Sequence, residues 1–165
     1  MIEHQNANII GIDPGVDGAI CVIPPTAMHV RTYPFKNQTL RDIVKVIQKE
    51  VSADPAIMFI ERVGARPGQG ASAMFTFGKV VGHLEAIAAC YGVPMYEVEP
   101  KEWQKGLGLG GTGLSYTERK KYFKRKAEAW FPHLSINLSN ADAILIAHYA
   151  YQKRYYGKVA PPPSG

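Results

Sequence analysis

Apolar and polar positions alternate along this chain in two different rhythms. Ile9, Ile10 and Ile12, then Ala19 to Ile23, then His29 to Phe35 are short β-branched or aromatic runs separated by Gly and Pro. That is the pattern of strands joined by hairpins, and it predicts an antiparallel start. The rhythm then becomes helical. Thr39 stands as a cap before Leu40, Ile43, Val44, Ile47 and Val51, and Asp54-Pro55 breaks the run. Ala56 to Ile60 reads as a buried strand ending at Glu61. The glycine-rich loop GARPGQG leads into a long apolar helix from about Ala71 to Tyr91, and Val93 to Val98 reads as a fifth strand. Pro100 to Lys105 fits one helical turn, and GLGLGGTG, too rich in glycine to fix its own backbone, is expected to be a mobile loop. Ser115 or Thr117 starts a basic helix that runs to about Phe131 and stops at Pro132, and a last helix covers about Asn140 to Tyr155. Three hairpin strands followed by alternating helix and strand predict an α/β fold, a mixed five-stranded sheet with helices on its faces.

Size changes this picture little. The 165 residues, 46% hydrophobic, suffice for one core, and residues 1–157 are read as a single domain. Residues 158–165, with the run VAPPPSG, are expected to be disordered. No run approaches about 18 uninterrupted apolar residues and Met1 to Asn8 is polar, so no membrane partner and a cytoplasmic location are expected. Cys21 and Cys90 lack metal-ligand spacing and read as buried free thiols of a reducing compartment. His83, His133 and His148 also lack ligand spacing and read as structural.

Charge changes it more. The net charge of +5 suits a polyanionic partner, and its distribution is uneven: RKKYFKRK places six cations in the eight residues from Arg119 to Lys126. A sparser set runs through Arg62, Arg66, Lys79, Lys101 and Lys105. Tyr122, Phe123 and Trp130 offer the basic helix a buried side, so an ordinary solvated face is the alternative there.

Three acids stand at the edges of apolar segments. Asp13 ends the first strand in GIDPG, Glu61 ends the central strand in MFIERV, and Asp142 lies in the first turn of the last helix in SNADAILIA. Mg²⁺-assisted phosphodiester hydrolysis needs two or three carboxylates converging on one point, because hard cations take oxygen ligands and neutralise the attacking and leaving oxygens. Each residue also has an ordinary structural use. Asp13 before Pro14-Gly15 can initiate a turn, Glu61 can be a strand-end charge beside Arg62, and Asp142 can be a helix N-terminal acid favoured by the dipole.

Taken together, GIDPGVDGAI, FIERVGARPGQGASAMFTFGKVVGHLEAI, VEPKEWQKGLGL, TERKKYFKRKAEAWFP and NADAILIAHYA resemble, in that order and over nearly the whole chain, the RuvC family of Holliday junction resolvases, particularly its compact phage-type and bacterial members. The resemblance implies a ribonuclease H-like fold, a homodimer, and Mg²⁺-dependent symmetric incision of junction DNA, with Mn²⁺ as a substitute ion. By position it carries the family's catalytic and metal-binding acids onto Asp13, Glu61 and Asp142. One departure stands out: many relatives have an acid or histidine three residues before the last aspartate, and here that position is Ser139. Ser139 then serves as an N-cap, and a fourth ligand would be absent, be water, or come from Asp17.

A four-way junction presents phosphates from several arms, so cations should surround the acidic centre. The candidates are Arg66, Lys79, Lys101, Lys105, Lys120, Lys121, Lys124 and Arg125. Met74, Phe75 and Phe77 follow the loop that leaves Glu61, where the resembling family places an aromatic that stacks in the opened junction, and Phe75 is the candidate wedge. Gly78 and Gly82, four apart on the same helix, allow close approach of another helix, and the resemblance puts the dimer contact there. Two competing readings remain: a junction-binding protein without nuclease activity, for which Ser139 argues, and a relative of actin-like ATPases and sugar kinases, which need a duplicated domain that this length does not hold.

Overall fold

The computed structural model describes residues 6–62, 64, 70–110 and 113–157. Most of the GARPGQG loop, two residues of the glycine-rich loop and the tail expected to be disordered lie outside them. The elements follow in the order β1 (Asn8–Asp13), β2 (Ala19–Ile23), β3 (Arg31–Pro34), α1 (Leu40–Ala53), β4 (Ala56–Glu61), α2 (Ala71–Cys90), β5 (Met95–Val98), α3 (Pro100–Gly106), α4 (Tyr116–Trp130) and α5 (Ala141–Tyr156). The sheet runs β3-β2-β1-β4-β5, antiparallel among the first three strands and parallel from β1 through β4 to β5. This is the mixed five-stranded sheet that the rhythm of the sequence predicts. The third strand is shorter than His29 to Phe35, because His29 takes a left-handed backbone (φ 57°) that ends strand pairing.

Two apolar layers sandwich the sheet. One face carries α5 with α3 and α4, burying Ile9, Trp103, Phe123 and most of α5; the other carries α1 and part of α2, burying Ile10, Ile12, Ile47, Met58 and Leu84. Alternating residues of β1 therefore serve opposite layers, as the pleat of a strand requires. Thr39 caps α1 in a reciprocal box with Asp42, and Ser115 caps α4 with Glu118 in the same way. Each cap stabilises its helix by about 1 kcal/mol. Glu50, buried near the end of α1, accepts from Arg31 Nη2 at 2.6 Å and from Tyr33 Oη at 2.6 Å, pinning that helix to β3.

The central contact is between β1 and α5. Gly11 lies under the helix, where a Cβ would fall 2.4 Å from the Ala147 nitrogen and 2.7 Å from the Ala143 carbonyl oxygen, so only glycine admits this approach. Two expectations need correction, and one helix adds a property of its own. The first half of the glycine-rich loop is anchored, because Leu107 and Leu109 drop into the core at 2% exposure each. Cys21 is buried as expected, but Cys90 is exposed at the end of α2. By length and composition α2 is apolar enough to cross a membrane, since Lys79, His83 and Glu85 interrupt its apolar run without lowering the mean hydropathy far; only 17% of that stretch is buried.

Candidate active site

β1 and β4 are parallel neighbours with Ile12 beside Ile60, so Asp13 and Glu61 leave the sheet together at one end. α5, packed across β1, begins at the same end and adds Asp142 from its first turn. The three acids line one open groove of roughly 1580 Å³. Asp13 also has its turn use: its Oδ1 accepts from the Gly15 N–H at 3.1 Å, while Oδ2 lies 3.7 Å from Lys120 Nζ. The indole N–H of Trp103 donates to Glu61 Oε1 at 2.9 Å. Lys120 Nζ donates to Asp142 Oδ2 at 2.6 Å, and Asp142 Oδ1 is buried with no partner among the described residues.

The electrostatics of this arrangement are strained. Burial, reinforced by Asp13 and Asp142, pushes the Glu61 carboxyl up to about 7 although the Trp103 hydrogen bond works the other way. Burial likewise raises Asp142, with Lys120 opposing. Burial works against the charge on Lys120 too, but Asp142 and then Asp13 outweigh it and hold its pKa above the ordinary lysine value. At the floor of the groove the Lys120 ammonium therefore sits against two acids, Asp142 and Asp13.

An all-oxygen donor set of three carboxylates, one with an orphaned buried oxygen, fits a hard divalent cation. Among the described residues no three acidic, histidine or cysteine side chains are close enough to hold an ion as they stand. The Lys120 ammonium takes up the charge between Asp13 and Asp142 in this geometry.

The structure distributes the sequence candidates unevenly around this groove. Lys120, taken as a phosphate contact, is an internal partner of the acids. It lies on the same helical stripe as the buried Phe123 and Ala127, a periodicity visible in the sequence that marks it as inward-facing. Lys121 and Arg125 are exposed outside the groove, and Lys124 pairs with Glu128 at 3.1 Å. Lys101 and Lys105 do line the groove, as do Arg119 and Lys36, neither of which was a site candidate from sequence. Lys79 is exposed on α2, and Arg66 lies outside the described residues. Phe75 is 75% exposed and does not line the groove, whereas Phe77 does. Ser139 is not the N-cap of α5; Asn140 holds that position, and the Ser139 N–H donates to Asn137 Oδ1 at 2.8 Å. Ser139 and Asp17 both line the groove. His148 is structural as expected, packed against the Trp130 and Phe131 rings.

Neither a model of a protein family nor a curated protein sequence matches the chain. In three dimensions it superposes on RuvC from T. thermophilus in complex with a Holliday junction substrate, with a TM-score of 0.62 at 17% sequence identity over 90% of this chain and 95% of that one. The fold is that of RuvC. A second structure of Thermus thermophilus RuvC gives a TM-score of 0.56 at 18% identity over 92% and 97% of the two chains. The ribonuclease H-like architecture expected from the ordered motifs is thereby borne out, and the groove with Asp13, Glu61 and Asp142 lies where β1 and β4 end and α5 begins.

Proposed function

We propose that this protein is a Mg²⁺-dependent, structure-selective endonuclease that resolves four-way DNA junctions by paired symmetric incision, acting as a homodimer. The observation that carries the reading is the gathering of Asp13, Glu61 and Asp142 in one groove whose rim bears Lys36, Lys101, Lys105 and Arg119. Its likeness to a RuvC solved with a Holliday junction substrate supports the choice of DNA. Asp13, Glu61 and Asp142 are the residues that would hold Mg²⁺ or Mn²⁺, which supplies positive charge to the attacking and leaving oxygens of a phosphodiester.

The protein's own part is placement. The rim cations engage backbone phosphates without reading bases, as a reader of junction shape requires. The turn at Gly15 and the Trp103 indole each hold one oxygen of an acid, so the carboxylates meet DNA already oriented. The exposed apolar face of α2, where Gly78 and Gly82 look onto open space, supports the homodimer, and Phe75 on that helix is the candidate wedge for the opened junction. Two copies supply the two cutting centres that paired incision needs.

The test is a synthetic four-way junction incubated with the protein in Mg²⁺, Mn²⁺, Ca²⁺ or EDTA. Paired symmetric nicks are expected in Mg²⁺ and Mn²⁺ alone. Asp13→Asn, Glu61→Gln and Asp142→Asn should each abolish incision and leave binding in Ca²⁺ intact or tighter, because the amide keeps the shape and removes repulsion toward phosphate. Incision by Asp13→Asn at the wild-type rate overturns the three-carboxylate site. One observation favours a second reading, a junction binder without nuclease activity: Lys120 already pairs with Asp142 and reaches Asp13, where an ion would bind. Junction binding without nicks in either Mg²⁺ or Mn²⁺ would select it.

A further inference from the structure

We infer that Trp103 is a positioning residue for the metal site: its indole N–H commits one oxygen of Glu61 and so fixes the other as the oxygen offered to the cation. This rests on the reading of Glu61 as a metal-holding residue given above.

The indole N–H is a donor with no acceptor capacity, and a buried one needs a single partner. Any nearby backbone carbonyl would satisfy it. Trp103, wholly buried in α3, instead donates to a carboxylate oxygen 42 residues away on β4. That oxygen belongs to the middle of the three acid-bearing elements. A carboxylate held this way loses rotation about its terminal bond, the freedom that most disperses the lone-pair directions of a strand-end glutamate.

The donor itself is held from three sides. Its ring meets Phe123 of α4 edge-on at 5.2 Å between centroids, three residues from Lys120. Glu102, its neighbour in α3, accepts from Tyr149 Oη at 2.7 Å and from Lys153 Nζ at 2.9 Å, both on α5. Gly106 closes α3 against the Tyr149 ring, where a Cβ would fall 2.4 Å from Cε2. The helix that carries Asp142 therefore also seats the indole that orients Glu61. An ordinary core tryptophan fills space; this one also ties α3, with Phe123 of α4 against its ring, to the acid of β4.

Partners that orient metal ligands change affinity or activity by about 10–100-fold when lost. Trp103→Phe keeps an apolar ring and removes the N–H along with part of the indole's volume, and its affinity for Mn²⁺ alone, measured by calorimetry, should fall by about that factor. The wild-type protein gives a measurement that needs no substitution in the core. The chain has two tryptophans, and in ¹⁵N-labelled protein the Trp103 indole resonance is assigned by comparison with Trp130→Phe. On titration with Mg²⁺ alone that resonance should move with the half-saturation seen by calorimetry while the Trp130 signal stays in place. In Glu61→Gln the Trp103 signal should be displaced without metal and should no longer follow Mg²⁺.

Wild-type affinity in Trp103→Phe, or a Trp103 signal unmoved while calorimetry shows Mg²⁺ binding, overturns the inference and leaves the metal site standing. No binding of Mg²⁺ or Mn²⁺ by the wild-type protein overturns the metal site and this inference with it. If Trp103→Phe does not fold, the wild-type and Glu61→Gln spectra decide the matter alone.

Discussion

Lys120→Met asks whether the ammonium in the groove is the internal counter-charge of an ion site. The Lys120 nitrogen lies 2.6 Å from Asp142 and 3.7 Å from Asp13. At an effective dielectric of about 20 these distances correspond to attractions of roughly 6 and 4 kcal/mol. Desolvation of the charges cancels much of this, and removing one partner of a buried pair leaves a net loss of about 3 kcal/mol, the low end of what such breaks cost, because the groove is open to water. For a chain of this size each kcal/mol shifts Tm by about 2–4 °C, so in EDTA the variant should melt about 6–12 °C below the wild type. Mg²⁺ should then act unequally. At a hundredfold excess over its Kd a bound ligand stabilises by about 2.7 kcal/mol. In Lys120→Met the ion meets unpaired carboxylates and should give most of that gain, whereas in the wild type it competes with the ammonium and should give less. Scanning calorimetry of both proteins in EDTA and in graded MgCl₂ measures each quantity. A variant as stable as the wild type in EDTA, or an identical Mg²⁺ response in the two, would refute the reasoning.

Gly11→Ala forces a Cβ to 2.4 Å from the backbone of Ala147, and because neither β1 nor α5 can yield locally, urea unfolding should show a loss of about 3 kcal/mol or more; wild-type stability would mean that the two elements are not in this contact. Burial holds His148 neutral, with its pKa lowered to about 4 from the ordinary histidine value of about 6.5, so stability is full above about pH 6.5 and falls as pH drops toward 4, by about 3 kcal/mol in all. His148→Phe should remove that slope, and subtracting the two profiles separates it from Glu61, whose raised pKa acts in the opposite direction; superimposable profiles would place the histidine in water. Lys101→Ala with Lys105→Ala should make the salt dependence of junction binding shallower by up to about 0.9 in log-log slope per lost contact, while Lys121→Ala with Arg125→Ala should change it much less; the reverse order would move the DNA to the outer face of α4.

Much of the fold was legible because strands and helices impose different periods on apolar residues. The isoleucines of β1, the Thr39 cap and the stop at Asp54-Pro55 each mark an element by a local rule, and the mixed sheet follows from their succession, whereas the place of β4 beside β1 does not. The three acids were legible for the same reason, since each ends or begins an apolar segment. What the sequence concealed depends on contacts between distant segments. Nothing near Trp103 announces that its partner is Glu61, and nothing near Gly106 says that Tyr149 of α5 waits against it. Lys120 was hidden differently. In a run of six cations charge dominates the reading, and only the spacing to Phe123 and Ala127 distinguishes the lysine that turns inward from those that face water. Ser139 was misplaced by a residue because Asn137 and Asn140 organise the approach to α5 through their own side chains.

The bare backbone contact at Gly11 bears on how far such a sequence can drift. Two residues before Asp13, the strand touches the helix through main-chain atoms of Ala143 and Ala147, immediately after Asp142. A separation fixed by main chain on both sides does not depend on which apolar side chains fill the remaining core. Leucine can replace isoleucine elsewhere, with neighbours readjusting, while the approach of β1 to α5 stays set by main chain. The joint behaves as a gauge block set between two halves of a tool: every other part can be recut, and the working gap stays the same. The fold is shared with a RuvC at 17% identity over 90% of this chain, so the greater part of the sequence can be recut while the fold is kept.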